Sequence, residues 1–206
     1  MTELELSRRE RKKEETKERI FKVALKLFKQ KGLEATTVDE IAEKADVAKG
    51  TFFNYFPRKE AVLAYLPEMW VEQAEAEAVE VMDVRGVPQF ERIRDLFVQF
   101  AAFYEEDREL SKWVAMEWLR REQSGCDDIC RRWDDLGVRV IKYLQDRGEL
   151  RCDVSPESAS QMFGAVHQGT LMRWLASPEP PFPLQDELRK RMKLIVEGLA
   201  PRAGGK

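Results

Sequence analysis

Residues 37–57 read TVDEIAEKADVAKGTFFNYFP, and the local signals in this stretch decide the fold. Thr37 with Glu40 three residues on is a capping box, in which each side chain satisfies a backbone N–H that the other end of the turn leaves orphaned. Val38, Ile41, Ala42 and Ala45 then form one apolar face of a short helix. Asp46-Val47-Ala48 breaks that pattern, and Lys49 to Phe56 reads as a second short helix carrying Phe52, Tyr55 and Phe56. Pro57 stops it, because proline disfavours helical geometry in the residue before it. Capped helix, short turn and second helix make a helix-turn-helix, a unit whose second helix suits the DNA major groove.

The helical period continues on both sides. Upstream, Ile20, Val23, Ala24, Leu27 and Phe28 form one stripe, which Gly32 ends. Downstream, a fourth helix is expected from Arg58 to about Met82, with a kink or restart at Pro67. Breaks follow at Val84 to Gln89 and at Ser124-Gly125. Between and beyond them lie helices over Phe90–Tyr104, Leu110–Arg121, Cys126–Arg147, Pro156–Ala176 (capped by Ser155) and Leu184–Leu199. No strand-like alternation interrupts them. The expectation is an all-α fold of about nine helices: a three-helix head over residues 1–60 and a helical bundle over 61–206.

Composition narrows the chemistry. The net charge of −3 is split, since residues 1–60 hold 15 Lys+Arg and 12 Asp+Glu, and the remainder 20 and 26. A basic head on an acidic body suits a polyanion met at one end only. With one histidine, His167, multi-His metal sites and most His-dependent catalysis are excluded, and the chain is not expected to be an enzyme or to need a cofactor. Cys126, Cys130 and Cys152 are too few for a disulfide framework. Cys126 and Cys130 share a helix face, but their spacing specifies no metal. No run is long and apolar enough for a membrane span, and Met1 to Lys13 lacks a signal-peptide core, so a cytoplasmic location is expected.

The head carries the donors that DNA binding requires. Thr37, Lys49 and Thr51 fall at helix N-termini, where backbone N–H groups and the helix dipole favour phosphate oxygens. Asn54, Tyr55 and Lys59 add donors for phosphates or base edges, and Arg8, Arg9, Arg11, Lys12 and Lys13 form a basic arm. The runs Thr36 to Ala42 and Ala48 to Glu60 resemble the DNA-binding region of the TetR family of bacterial transcriptional regulators, a likeness extending from Ile20 to Leu63. The resemblance implies that Thr37 caps the second helix and touches a phosphate, and that Lys49 and Thr51 make contacts at the start of the recognition helix. It places Phe53 and Asn54 toward the groove, and Tyr55 and Lys59 on phosphates. Position 53 is usually tyrosine in that family, so Phe53 is expected to supply an apolar contact, as to a thymine methyl.

The resemblance also implies a homodimeric, ligand-responsive regulator, most often a repressor, that reads a palindromic double-stranded operator and releases it when a small apolar or aromatic effector binds the body. The effector candidates are Phe97, Phe100, Tyr104, Trp113, Met116, Trp118, Trp133, Phe163 and His167, although a place in the core, or for His167 in the core or an interface, is the more frequent role for any one of them. Gly164, Leu171, Leu188, Met192 and Ile195 on the last two helices are the dimerisation candidates, with intrachain core as the competing role. The fourth helix would link pocket to head. A helical small-molecule enzyme and a protein-interaction adaptor are the alternatives, disfavoured by the missing nucleophile–base constellation and by the basic, capped unit at 37–60.

Overall fold

A computed structural model describes residues 8–83, 89–123 and 128–201, and among them all regular structure is helical. The elements are α1 (Arg8–Lys31), α2 (Val38–Lys44), α3 (Lys49–Tyr55), a 3-10 helix (Lys59–Ala64), α4 (Tyr65–Asp83), α5 (Phe90–Gln99), α6 (Ala101–Glu106), α7 (Arg108–Gln123), α8 (Asp128–Asp146), α9 (Pro156–Ala176) and α10 (Leu184–Leu199). The helix expected over Phe90–Tyr104 is divided into α5 and α6 at Phe100, which itself keeps right-handed helical angles. The expected breaks at 84–88 and 124–125, Cys126, and the first seven residues lie outside the described residues, as do the side chains of Arg8 and Arg9.

The chain divides into two compact units between Leu66 and Pro67. In the head, α1 buries Ile20, Ala24, Leu27 and Phe28 of the expected stripe, leaves Val23 half-buried, and buries Phe21 beside them. Gly32 ends α1 at φ +85°, with its N–H on the Phe28 carbonyl at 2.8 Å, a left-handed stop that glycine adopts without strain. The turn between α2 and α3 uses Asp46 at φ 51°, a left-handed position that aspartate tolerates better than most residues. Arg19 of α1 donates Nε to the Ala45 carbonyl at 2.9 Å, fixing the end of α2 against α1.

The head reaches six residues beyond the expected boundary at position 60, for a packing reason. The 3-10 helix lies against α1 and fully buries Val62 and Leu63. The Tyr65 ring meets Phe21 edge-on at 5.1 Å, and its hydroxyl donates to Glu14 at 2.5 Å. The expected fourth helix is therefore a 3-10 turn and a restart. Pro67 is the third residue of α4, within the first turn, where a helix has no intrahelical partner for a backbone N–H.

In the body, α9 packs between α8 and α10, α10 lies against α5 and α6, and α7 touches α6 and α9. The core is drawn from α4 (Ala74, Ala78), α5 and the following Phe100, and the apolar face of α8 (Leu136, Val140, Ile141, Leu144). Charged groups close several helix ends, Glu149 and Arg108 among them. Glu149 accepts the N–H groups of Gln89 and Phe90 at 2.8 and 3.2 Å, placing a carboxylate at the positive end of α5. Arg108 donates to the carbonyls of Trp174 and Pro178, both at 2.8 Å, and to Ser177, and so caps the negative end of α9.

Candidate nucleic-acid interface and ligand cavity

The helix α3 has two faces with opposite tasks. Phe52 and Phe56 are buried, at 0 and 3% exposure, while Lys49, Gly50, Phe53 and Asn54 face out on neighbouring turns. Thr51 and Tyr55 flank that face and are half-buried. Phe53 is 45% exposed, a large apolar ring on the surface of a small unit, and its edge-on contact with Phe52 at 5.5 Å holds it in place. Lys49 reaches back to Asp39 of α2 at 2.9 Å, through side chains that both remain largely in solvent.

The start of α2 is built as its sequence signals. The Thr37 hydroxyl accepts the Glu40 N–H at 3.2 Å, and the Thr37 N–H donates to the Glu40 carboxylate at 3.1 Å. Lys31 adds contacts to the same carboxylate at 2.6 and 2.5 Å. Lys31, followed by the Thr37 N–H, draws the Glu40 pKa from 4.5 down to about 2.

Lys59, expected on a phosphate, is engaged within the head. Its ammonium donates to the carbonyls of Leu33, Glu34 and Thr36 at 2.7, 3.0 and 2.9 Å. An ammonium has three N–H donors, so all three are engaged within the head. Lys59 holds the connection from α1 to α2; a phosphate contact would have to displace one of those carbonyls.

The body contains a partly open cavity of about 500 Å³, in the size range of small-molecule sites. Of the expected effector residues, Phe97, Phe100, Tyr104, Trp118, Trp133, Phe163 and His167 lie on its wall. Trp113 and Met116 do not. On α7 the wall residues are Val114, Ala115 and Trp118, and the turn of the helix carries Met116 outward, where it is 55% exposed. Aromatic composition marked the region but could not choose the face. Trp70, within the span expected for the fourth helix, also lines the cavity and meets Phe103 and Tyr104 edge-on at 5.3 and 5.5 Å. Polar wall groups also escaped the reading, because Arg94, Asp134, Ser160 and Gln168 carry no sequence signal apart from ordinary helix positions.

Burial disfavours charge on two of the wall groups. It lowers the His167 pKa from 6.5 to about 4 and raises the Tyr104 phenol above its ordinary value. His167 is therefore a neutral imidazole at physiological pH.

The expected dimerisation residues are largely interior. Leu188, Leu171 and Met192 are buried within this chain, and Leu171, Met192 and Gly164 line the cavity. Ile195 alone among the five borders a shallow apolar groove on the other side of α9, with Met162, Val166, Gly169, Leu194 and Gly198. Leu194 is 66% exposed. Apolar and polar residues are mixed on both faces of α9, so periodicity could not separate the one turned to the cavity from the one turned to the groove.

Among the described residues, no helix is long and apolar enough to cross a membrane. Residues 20–66 match the family model for bacterial regulatory proteins of the tetR family. The chain is 32% identical over 103 residues to the HTH-type transcriptional regulator YerO of Bacillus subtilis, an alignment covering 50% of this chain and 35% of YerO. It is 54% identical over 44 residues to YuxN of the same organism, covering 21% of this chain and 15% of YuxN. The chain thus spans well under two thirds of the length of either. Its fold is similar to the crystal structure of FadR from Thermus thermophilus, a TetR-family transcriptional repressor in complex with lauroyl-CoA, with 30% identity, a TM-score of 0.69, and coverage of 92% of this chain and 98% of FadR. The capped α2, the outward face of α3 and this whole-length likeness agree, and the chain belongs to the TetR family of bacterial regulatory proteins.

Proposed function

We propose that the chain is a cytoplasmic, non-enzymatic repressor that binds a palindromic operator as a homodimer and releases it when an elongated apolar effector enters the body cavity. The observation that carries this reading is the outward face of α3. A short helix whose buried side is anchored by Phe52 and Phe56 presents Lys49, Phe53 and Asn54 together, a cation, an apolar ring and an amide suited to a major groove. Thr37, Thr51 and Tyr55 supply the flanking phosphate contacts. Lys59 is reassigned to holding the α1–α2 connection.

One such helix reads only a few base pairs, and pairing two of them doubles the site. The groove around Leu194 and Met162 is the surface we assign to the second copy. The apolar wall suits a hydrocarbon chain, and the lauroyl-CoA bound by T. thermophilus FadR makes an acyl group the effector class of choice. Pro67 and Trp70 of α4 lie on that wall, and the same helix begins within the head at Tyr65. Effector binding would shift the population toward dimers whose heads no longer match successive major grooves, about 34 Å apart.

Gel-shift titration on DNA from upstream of the gene tests this. Binding is expected to strengthen as salt falls; Lys49→Ala is expected to reduce the logarithmic salt slope by about 1, and Tyr55→Ala to weaken binding without changing that slope. Lauroyl-CoA is expected to release the DNA. Undiminished binding by both variants would remove the assigned interface.

A further inference from the structure

The cavity wall contains a buried donor that has no acceptor among the described residues. Gln168 lines the cavity, and its side-chain Nε2 is buried with no hydrogen-bond partner among the described residues. Such a group is destabilising where it stands, and an incoming acceptor relieves it. Around it the wall is mostly hydrocarbon and ring, including Trp118, Trp133, Phe163 and Leu171. His167 precedes it on α9 and lines the same cavity as an uncharged imidazole. The other titratable groups on the wall are Arg94 of α5, Tyr104 of α6 and Asp134 of α8. Arg94 is paired with Asp95 at 3.0 Å.

We propose that Gln168, with His167 beside it, is the polar anchor of the cavity and reads an uncharged carbonyl on an otherwise apolar effector, as in an acyl thioester or ester. This rests on the acyl reading above. An acyl chain offers methylenes to the aromatic wall and one acceptor to the amide, so the carbonyl sets how deep the chain sits. A wall built to donate a hydrogen bond discriminates against the analogue that lacks the acceptor, because the donor is then left unpaired. The pair carries no formal charge, so it favours a carbonyl over a carboxylate.

Calorimetric titration of the full chain with two probes tests the anchor. Lauroyl-CoA and dodecyl-CoA, its thioether, differ by the carbonyl oxygen alone. The wild type is expected to bind the thioester about tenfold more tightly than the thioether. Gln168→Leu is expected to bring the two within about twofold of each other by weakening the thioester only. Gln168→Met, which keeps the length of the side chain and removes the donor, is expected to lose the preference as well. Equal binding of both probes by the wild type overturns the anchor without any variant having to fold, and so does a preference that survives both substitutions. Failure of the wild type to bind either probe overturns the acyl reading itself, and the anchor with it.

Discussion

The head and the body both rely on buried aromatic rings, but they use them in opposite ways. In the head, Phe21, Phe52 and Phe56 are closely packed, and their contribution is to fix α3 so that its other face is free. In the body, Trp70, Phe97, Phe100 and Trp133 touch one another at centroid distances of 5.9 to 6.1 Å and surround a space of about 500 Å³. Closely packed interiors leave few voids larger than a water molecule, so an opening of this size is a departure from ordinary packing. One unit is held rigid by local devices and presents a surface; the other arranges large rings around an interior. The two should therefore fail under different insults, and the sequence supplies a way to watch them separately. All five tryptophans lie beyond residue 66. Indole fluorescence thus reports on the body, and exchange of head amides on the head.

The largest expected separation comes from Lys59. Its three carbonyl contacts hold the connection from Leu33 to Thr36, immediately before the cap of α2. Hydrogen bonds from a charged donor are individually stronger than neutral ones, and Lys59→Ala is expected to destabilise the head by about 3 kcal/mol. Amide exchange in α2 and α3 should accelerate by about two orders of magnitude, at this size of loss. The fluorescence midpoint in denaturant should stay at the wild-type value. Unchanged exchange would show that water replaces the ammonium without loss, and an equal shift in both probes would show that the units unfold as one.

The same contrast governs what could be read in advance. The head was legible nearly residue by residue, because its determinants are local. The Thr37–Glu40 box, Gly32 and Pro57 each act within a few positions of their own place in the chain. Lys59 escaped because its partners lie 23 to 26 residues away, a distance no periodicity spans. In the body the helices were legible but their rotation was not. Trp113 and Trp118 sit on one helix, and only packing against α9 and its neighbours decides that the second lines the cavity. Leu188 and Met192 likewise have the spacing of an interface and the location of a core.

His167 gives the intermediate effect, and it belongs to the body alone. Its pKa is about 4 in the folded chain against 6.5 ordinarily. The unfolded chain therefore binds more protons than the folded chain between those values, so stability rises with pH through that window and falls as the solution is acidified below 6.5. By pH 5 the loss should reach about 2 kcal/mol, from the shift and the value of one pKa unit. The fluorescence midpoint of the wild type should fall between pH 7 and pH 5, and His167→Asn should flatten that slope. A slope of the same size in the variant would assign the sensitivity elsewhere. The head, with no histidine, should show no change in exchange protection over the same range.

The head's own acid response is smaller and begins where the histidine window is closing. Glu40 is held near pKa 2 by Lys31 and by the Thr37 N–H, against an ordinary 4.5. A depressed carboxylate contributes stability above its unfolded pKa and loses it as pH falls through the folded one. The contribution is therefore complete above 4.5 and gone below about 2. The pair lies in solvent, so screening keeps the contribution small and makes it shrink with added salt. Glu40→Gln retains an oxygen that can accept the Thr37 N–H and removes the attraction to Lys31, so the variant isolates the charge. Its head should exchange faster than wild type at pH 6. The difference should narrow below 4.5, and at high salt it should be reduced even at pH 6. A difference that ignores both pH and salt would mean that the box acts by geometry alone. The head would then owe its acid tolerance to packing around Phe52, and the two units would differ less than their charges imply.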